Sequence, residues 1–116
     1  MSIQLNTRQV GDVNVIAIIG RITIGEGSSA LRERVRELVA QNQTKILLNL
    51  GEVPYIDSSG IGELVQAYST VTKGGGQFKL SNLTKRVQDL LKISRHDMLF
   101  DIHQEEAAAV ESFTGA

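Results

Sequence analysis

Along this chain the spacing of apolar residues switches repeatedly between every second position and every third or fourth. That switching constrains the fold most, because a strand shows alternate residues on one face and a helix shows residues three and four apart. Ile3, Leu5 and Thr7 alternate, and Val13, Val15 and Ala17 repeat the pattern after Gly11-Asp12, which predicts a β-hairpin with a short turn. The second strand continues through Ile16, Ile18 and Ile19 to Gly20; apolar on both faces, it is expected inside a sheet. Leu31, Val35, Leu38 and Val39 form a helical stripe, with Ser28 or Ser29 suited to cap its start. Lys45 to Leu50 reads as a buried strand, and Gly51 to Tyr55 as a loop holding the only proline.

A second helix is expected from Ser58–Gly60, burying Ile61, Leu64, Val65, Tyr68 and Val71 and stopped by Lys73-Gly74-Gly75-Gly76. Gln77 to Leu80 is the next strand. Thr84 starts a third helix with Val87, Leu90 and Leu91 inward. A short strand at Leu99 to Ile102 and a last helix from Gln104 to Phe113, with Ala107, Val110 and Phe113 inward, complete the order β-β-α-β-α-β-α-β-α. Strands alternating with helices imply an α/β fold: a mixed, mostly parallel sheet with an antiparallel N-terminal hairpin and about four helices. With 116 residues and no internal repeat, one domain is expected over 1–116, its core spanning about 3–113.

Composition narrows the function. There is no cysteine, which excludes disulfides and thiolate metal sites. Twelve basic residues against thirteen acidic ones give a net charge of −1, with no basic excess for nucleic acid. Arg32, Arg34 and Arg36 alternate with Glu33 and Glu37, which reads as a solvated helix face. Met1 to Asn6 lack a basic start followed by an apolar run, and no run approaches membrane-span length, so a cytoplasmic location without membrane insertion is expected.

The informative stretch is Tyr55-Ile56-Asp57-Ser58-Ser59-Gly60-Ile61-Gly62, between a buried strand and an amphipathic helix. Loops at the carboxyl ends of parallel strands form the usual functional edge of such folds. Asp57 or Ser58 as a helix cap, with glycines for close packing, explains the stretch by itself. A phosphoacceptor serine is compatible with that, since a helix start favours added negative charge. Enzyme motifs fail on detail. A nucleophile elbow needs glycine two before and two after the serine, but Ile56 precedes Ser58 and Ile61 follows Ser59. Gly60-Ile61-Gly62 has Val65 where a dinucleotide fingerprint has its third glycine, and Lys73 precedes the glycines it would follow in a phosphate-binding loop. His96 and His103 lack zinc spacing; beside Asp97 and Asp101 they read as surface polar residues around a short strand, and no metal or cofactor is expected.

At Ile56-Asp57-Ser58-Ser59-Gly60-Ile61-Gly62 the sequence resembles the STAS domain family, and within it the bacterial anti-sigma factor antagonists. Lys45 to Leu50, Leu80-Ser81-Asn82-Leu83-Thr84 with Val87, Leu91 and Ile93, and Leu99 to Ile102 carry the resemblance across about residues 3 to 113. The resemblance implies a partner-switching regulator rather than an enzyme. The unphosphorylated form would bind an anti-sigma factor that is also a serine kinase of the GHKL ATPase type, freeing the sigma factor. Phosphorylation of Ser58, with Ser59 the secondary candidate, would end the binding, and a PP2C-type phosphatase would restore it. A phosphate adds about −1.5 to −2 charges beside Asp57. Gly60 and Gly62 would let the partner's backbone approach, and Ile61 would offer an apolar contact.

Many antagonists carry an acidic residue, an aliphatic one and an aspartate after the glycine ending the second strand. Here Arg21 and Thr23 replace the two acids, in a loop the resemblance places near the serine and the partner. The expected partner-binding set is therefore Arg21, Thr23, Asp57, Ser58, Ser59, Gly60, Ile61 and Gly62. The same resemblance leaves a second role open: a scaffold or accessory subunit of a stress-sensing complex or lipid-transport system.

Overall fold

The structure, a computed structural model, describes residues 3–113. Its elements follow the expected order: β1 (Gln4–Val10), β2 (Val13–Ile19), α1 (Glu26–Ala40), β3 (Lys45–Glu52), α2 (Ser58–Lys73), β4 (Gln77–Ser81), α3 (Lys85–Ile93), β5 (Asp101–His103) and α4 (Glu106–Ser112). The five strands form one sheet in the order β1-β2-β3-β4-β5. β1 and β2 are antiparallel around Gly11-Asp12, and every other pairing is parallel. Each crossover advances one place in the same direction, so the first three helices share a face, as a constant crossover hand requires.

That face carries the main core. Ile16, Ile18, Ile46, Leu48 and Leu80 of the strands meet Leu31 and Val35 of α1, Leu64 and Val71 of α2, and Val87 and Leu91 of α3. Burying one such side chain contributes about 1.5–3 kcal/mol before the entropy of ordering it. Tyr68, Phe78 and Phe100 stack edge-on or tilted within this core, with ring centroids 6.1–6.2 Å apart. The other face is a smaller cluster in which Ala109 and Phe113 cover Val13, Val15 and Leu47.

Several local expectations are corrected. α1 begins at Glu26, and its N-cap is Gly25, at φ +99°, with no side-chain cap. Ser28 caps nothing: it is buried, and its hydroxyl donates to the Thr23 carbonyl at 2.9 Å. The loop after β3 is shorter than expected, because Gly51 and Glu52 remain in the strand. β5 starts at Asp101, since Met98 and Leu99 lie in a turn closed by the Leu99 N–H donating to the His96 carbonyl at 3.1 Å. α4 starts at Glu106, which turns Ala109 and Phe113 inward and leaves Ala107 exposed. Thr84 caps α3 as expected, accepting the Val87 N–H at 3.3 Å.

Candidate functional site

Beyond the last residues of β2 and β3 the two chains stay paired. The Gly20 N–H donates to the Glu52 carbonyl at 3.0 Å. An isolated parallel bridge then joins Ile22 to Ile56: the Ile22 N–H donates to the Tyr55 carbonyl, and the Asp57 N–H to the Ile22 carbonyl, both at 3.3 Å. This fixes the 20–25 loop against the start of α2 at the carboxyl edge of the parallel strands, where α/β folds place their sites.

Asp57 caps α2. Its Oδ1 accepts the Gly60 N–H at 2.8 Å, and its Oδ2 accepts the Ile24 N–H at 3.4 Å. One carboxylate thus ties the helix start to the neighbouring loop, with both oxygens used inside the chain. Gly60 is buried: a Cβ there would lie 2.1 Å from the Ile22 carbonyl oxygen, so the close approach it permits is to its own chain and not to a partner. Gly62 is exposed, and a Cβ there would meet nothing within 4 Å.

Ser58 is the first residue of α2 and is exposed; its hydroxyl makes no hydrogen bond to a described residue. Ser59 is half-buried on another face of the same turn. Ile61 is half-buried against the main core. Arg21 is exposed, while Thr23 is half-buried and lends its carbonyl to Ser28. The structure therefore brings the expected residues to one edge, with Gly60 beneath the surface.

A groove of about 580 Å³ runs along the first three turns of α1 and α2, with Ser59, Gly62, Glu63 and Gln66 on one side and Gly25, Ser28, Ser29, Arg32 and Arg36 on the other. Ile24, 78% exposed, stands at its end. Glu63, only 6% exposed, takes Arg32 on both oxygens, at 2.8 Å from Nη2 and 3.4 Å from Nε. The hydrogen bond that Arg32 donates to Glu63, reinforced by the charge of that carboxylate, holds the Arg32 guanidinium above its usual pKa. Arg32 is thus an interhelix anchor and not part of a freely solvated face, whereas Arg36 is exposed.

Sequence reasoning missed Ile24 and the Arg32–Glu63 pair. The signals were present: an aliphatic residue between Thr23 and Gly25 outside either period, and a glutamate beside Leu64 within a buried stripe.

The rest of the surface offers less chemistry. A cleft of about 690 Å³ between β1 and α1 is lined by Ile3, Leu5 and the alternating charges Glu33, Arg34, Arg36 and Glu37. His103 Nε2 lies 3.0 Å from Asp101 Oδ1, an ion-pair distance without hydrogen-bond alignment. Among the described residues no group of three His, Cys, Asp or Glu side chains is arranged to hold a metal. No helix among them is long and apolar enough to cross a membrane.

The family profile of the STAS domain matches residues 4–109. The chain belongs to the STAS domain family. It is 30% identical over 111 residues to the anti-sigma-B factor antagonist of Bacillus subtilis, covering 96% of this chain and 100% of that protein. In fold it resembles the Bacillus anti-sigma factor antagonist SpoIIAA. The unphosphorylated form superposes with a TM-score of 0.75 at 17% identity, covering 97% of this STAS chain and 100% of the other. The phosphorylated form gives 0.71 at 19% identity, covering 94% and 99%.

Proposed function

We propose that this STAS protein is an anti-sigma factor antagonist. Its unphosphorylated form binds an anti-sigma factor with serine kinase activity in the cytoplasm and so frees a sigma factor. Phosphorylation of Ser58 ends the binding, and a PP2C-type phosphatase reverses the change. In this reading the chain is a regulator and not an enzyme, and it needs no cofactor.

The observation that carries the proposal is the state of Ser58. Its hydroxyl is exposed and bonded to no described residue, on a helix turn that Asp57 already caps. Modification there removes no internal hydrogen bond, so the fold can stay as it is while the surface changes. About −1.5 to −2 charges and a hydrated phosphate then stand in the contact area. Relatives named as anti-sigma factor antagonists support the role, two of them over almost the whole chain.

Ile24 gives the surface an apolar anchor beside the serine, joined to Asp57 through its own N–H. A protruding apolar residue next to a chargeable hydroxyl suits reversible association: the first favours burial and the second can oppose it. Arg21 adds exposed positive charge at this edge, so the matching partner surface is acidic at that point.

The test is binding to the anti-sigma factor co-expressed with the chain. Ser58→Ala is expected to stay bound in the presence of ATP, and Ser58→Asp to fold but bind at least tenfold more weakly. Equal binding by both variants would remove Ser58 from the interface.

A further inference from the structure

The sheet has two edges, and they are unlike. β5 is three residues long, whereas β1 runs for seven. Val10 and Val13 are register partners across the two-residue turn Gly11-Asp12, so they form a hydrogen-bonded pair; Arg8–Val15, Asn6–Ala17 and Gln4–Ile19 follow in the same phase. The residues between them, Leu5, Thr7 and Gln9, therefore turn their N–H and C=O groups away from β2. Among the described residues no hydrogen bond reaches those backbone groups.

Open sheets guard such an edge with lysine, proline, a bulge or a covering element. β1 has none of these. Its one charged residue, Arg8, is bonded to Glu106, its register with β2 is regular throughout, and Asn6 to Val10 are exposed.

The edge is also complementary to itself. Set antiparallel against a second copy with Thr7 on a twofold axis, Thr7 faces Thr7 and Leu5 faces Gln9. These three pairs exchange two hydrogen bonds each, six in all. Arg8 then stands opposite Asn6, so no like charges meet, and threonine opposite threonine is a favourable cross-strand pair. Beside the edge, Glu33, Arg34, Arg36 and Glu37 of α1 line the cleft over Ile3 and Leu5. That run holds two charges of each sign. It suits a twofold copy of itself, whereas a uniformly acidic or basic partner would meet like charge there.

We infer that β1 is a self-association edge: two copies of this chain pair antiparallel through Leu5, Thr7 and Gln9, joining two five-stranded sheets into one of ten strands. The Ser58 turn follows β3, two strands in from this edge, so the pairing uses none of its groups. Each pair of chains carries two switches.

Sedimentation equilibrium of the full chain, from micromolar to millimolar concentration, is expected to show the mass rising from 12.6 kDa to twice that value. Hydrogen exchange should find the Leu5, Thr7 and Gln9 amides protected in the dimer and released on dilution, with Asn6 and Arg8 protected in both states. Thr7→Pro deletes the N–H on the axis in both copies, at an edge position where proline is tolerated because that N–H faces outward. Losing two hydrogen bonds is expected to weaken association about tenfold or more while circular dichroism stays unchanged. Thr7→Ala is the control: it loses the hydroxyl that Arg34 holds, keeps the N–H, and is expected to associate more tightly than Thr7→Pro. A parent chain that stays monomeric throughout, or a dimer whose Leu5, Thr7 and Gln9 amides exchange freely, would overturn the inference. So would a folded Thr7→Pro chain that associates as well as Thr7→Ala, or protection of these amides only when another protein is added, which would assign the edge to that partner.

Discussion

Replacing Gly60 with alanine puts a methyl group 2.1 Å from the Ile22 carbonyl oxygen and 3.2 Å from Ile56 Cβ. The first distance is about 1.3 Å short of the 3.4 Å at which ordinary contact begins, and the neighbour is backbone, which cannot swing aside. Relief requires α2 to move off the Ile22–Ile56 bridge. That strains two hydrogen bonds, Asp57 N–H to the Ile22 carbonyl and Ile22 N–H to the Tyr55 carbonyl, each worth about 1 kcal/mol. Overpacking adds about 1–3 kcal/mol, and the better helix propensity of alanine returns about 1. The net expectation is a loss of about 2–4 kcal/mol, read by urea unfolding followed by circular dichroism, and a fall in Tm on the order of 10 °C. Gly62→Ala is the internal control. Its Cβ meets nothing within 4 Å, so it should hold or gain up to about 1 kcal/mol. The reasoning is refuted if Gly60→Ala matches the parent, or if Gly62→Ala is the more damaging change.

Two further outcomes follow from the same geometry. Ser58→Ala should unfold within about 0.5 kcal/mol of the parent, because the hydroxyl removed is exposed and bonded to no described residue. Asp57→Ala, which loses the cap, should cost about 1 kcal/mol or more in the same assay. The third concerns acid stability. Burial pushes the Glu106 carboxyl up, but hydrogen bonds from Arg8 and Asn49, with the charge of Arg8, outweigh it and hold the group below its ordinary value. A depressed folded pKa contributes stability that is full above the unfolded value, about 4.3, and lost as pH falls through the folded one. Glu106→Gln should therefore flatten the loss of stability below pH 5, measured by urea midpoints across pH; an unchanged slope would discount the group.

What the sequence revealed and what it hid divide by range. The strands and helices were legible because their periods are local, and the caps of α2 and α3 were legible because Asp57 and Thr84 bond three residues ahead. Ser28 misled for the converse reason: its hydroxyl turns back to Thr23, and the buried position comes from the fold around it. The Arg32–Glu63 pair joins residues on two helices, and an alternating charge run gives no hint of which member is anchored. The buried face of α4 depended on its starting residue, and a shift of two positions moved the inward alanine from 107 to 109. At the site, the Asp-Ser-Ser-Gly element located the helix start. It did not show that Asp57 also holds the Ile24 loop, or that Gly60 is occupied by Ile22.

The central claim is that Ser58 is the switch. Its most direct test is the intact mass of the protein isolated from its own cells, before and after phosphatase treatment, with the modified peptide mapped. The account predicts a phosphatase-sensitive phosphate on Ser58 whose occupancy changes between growth and stress. A protein unmodified at Ser58 under both conditions would contradict it.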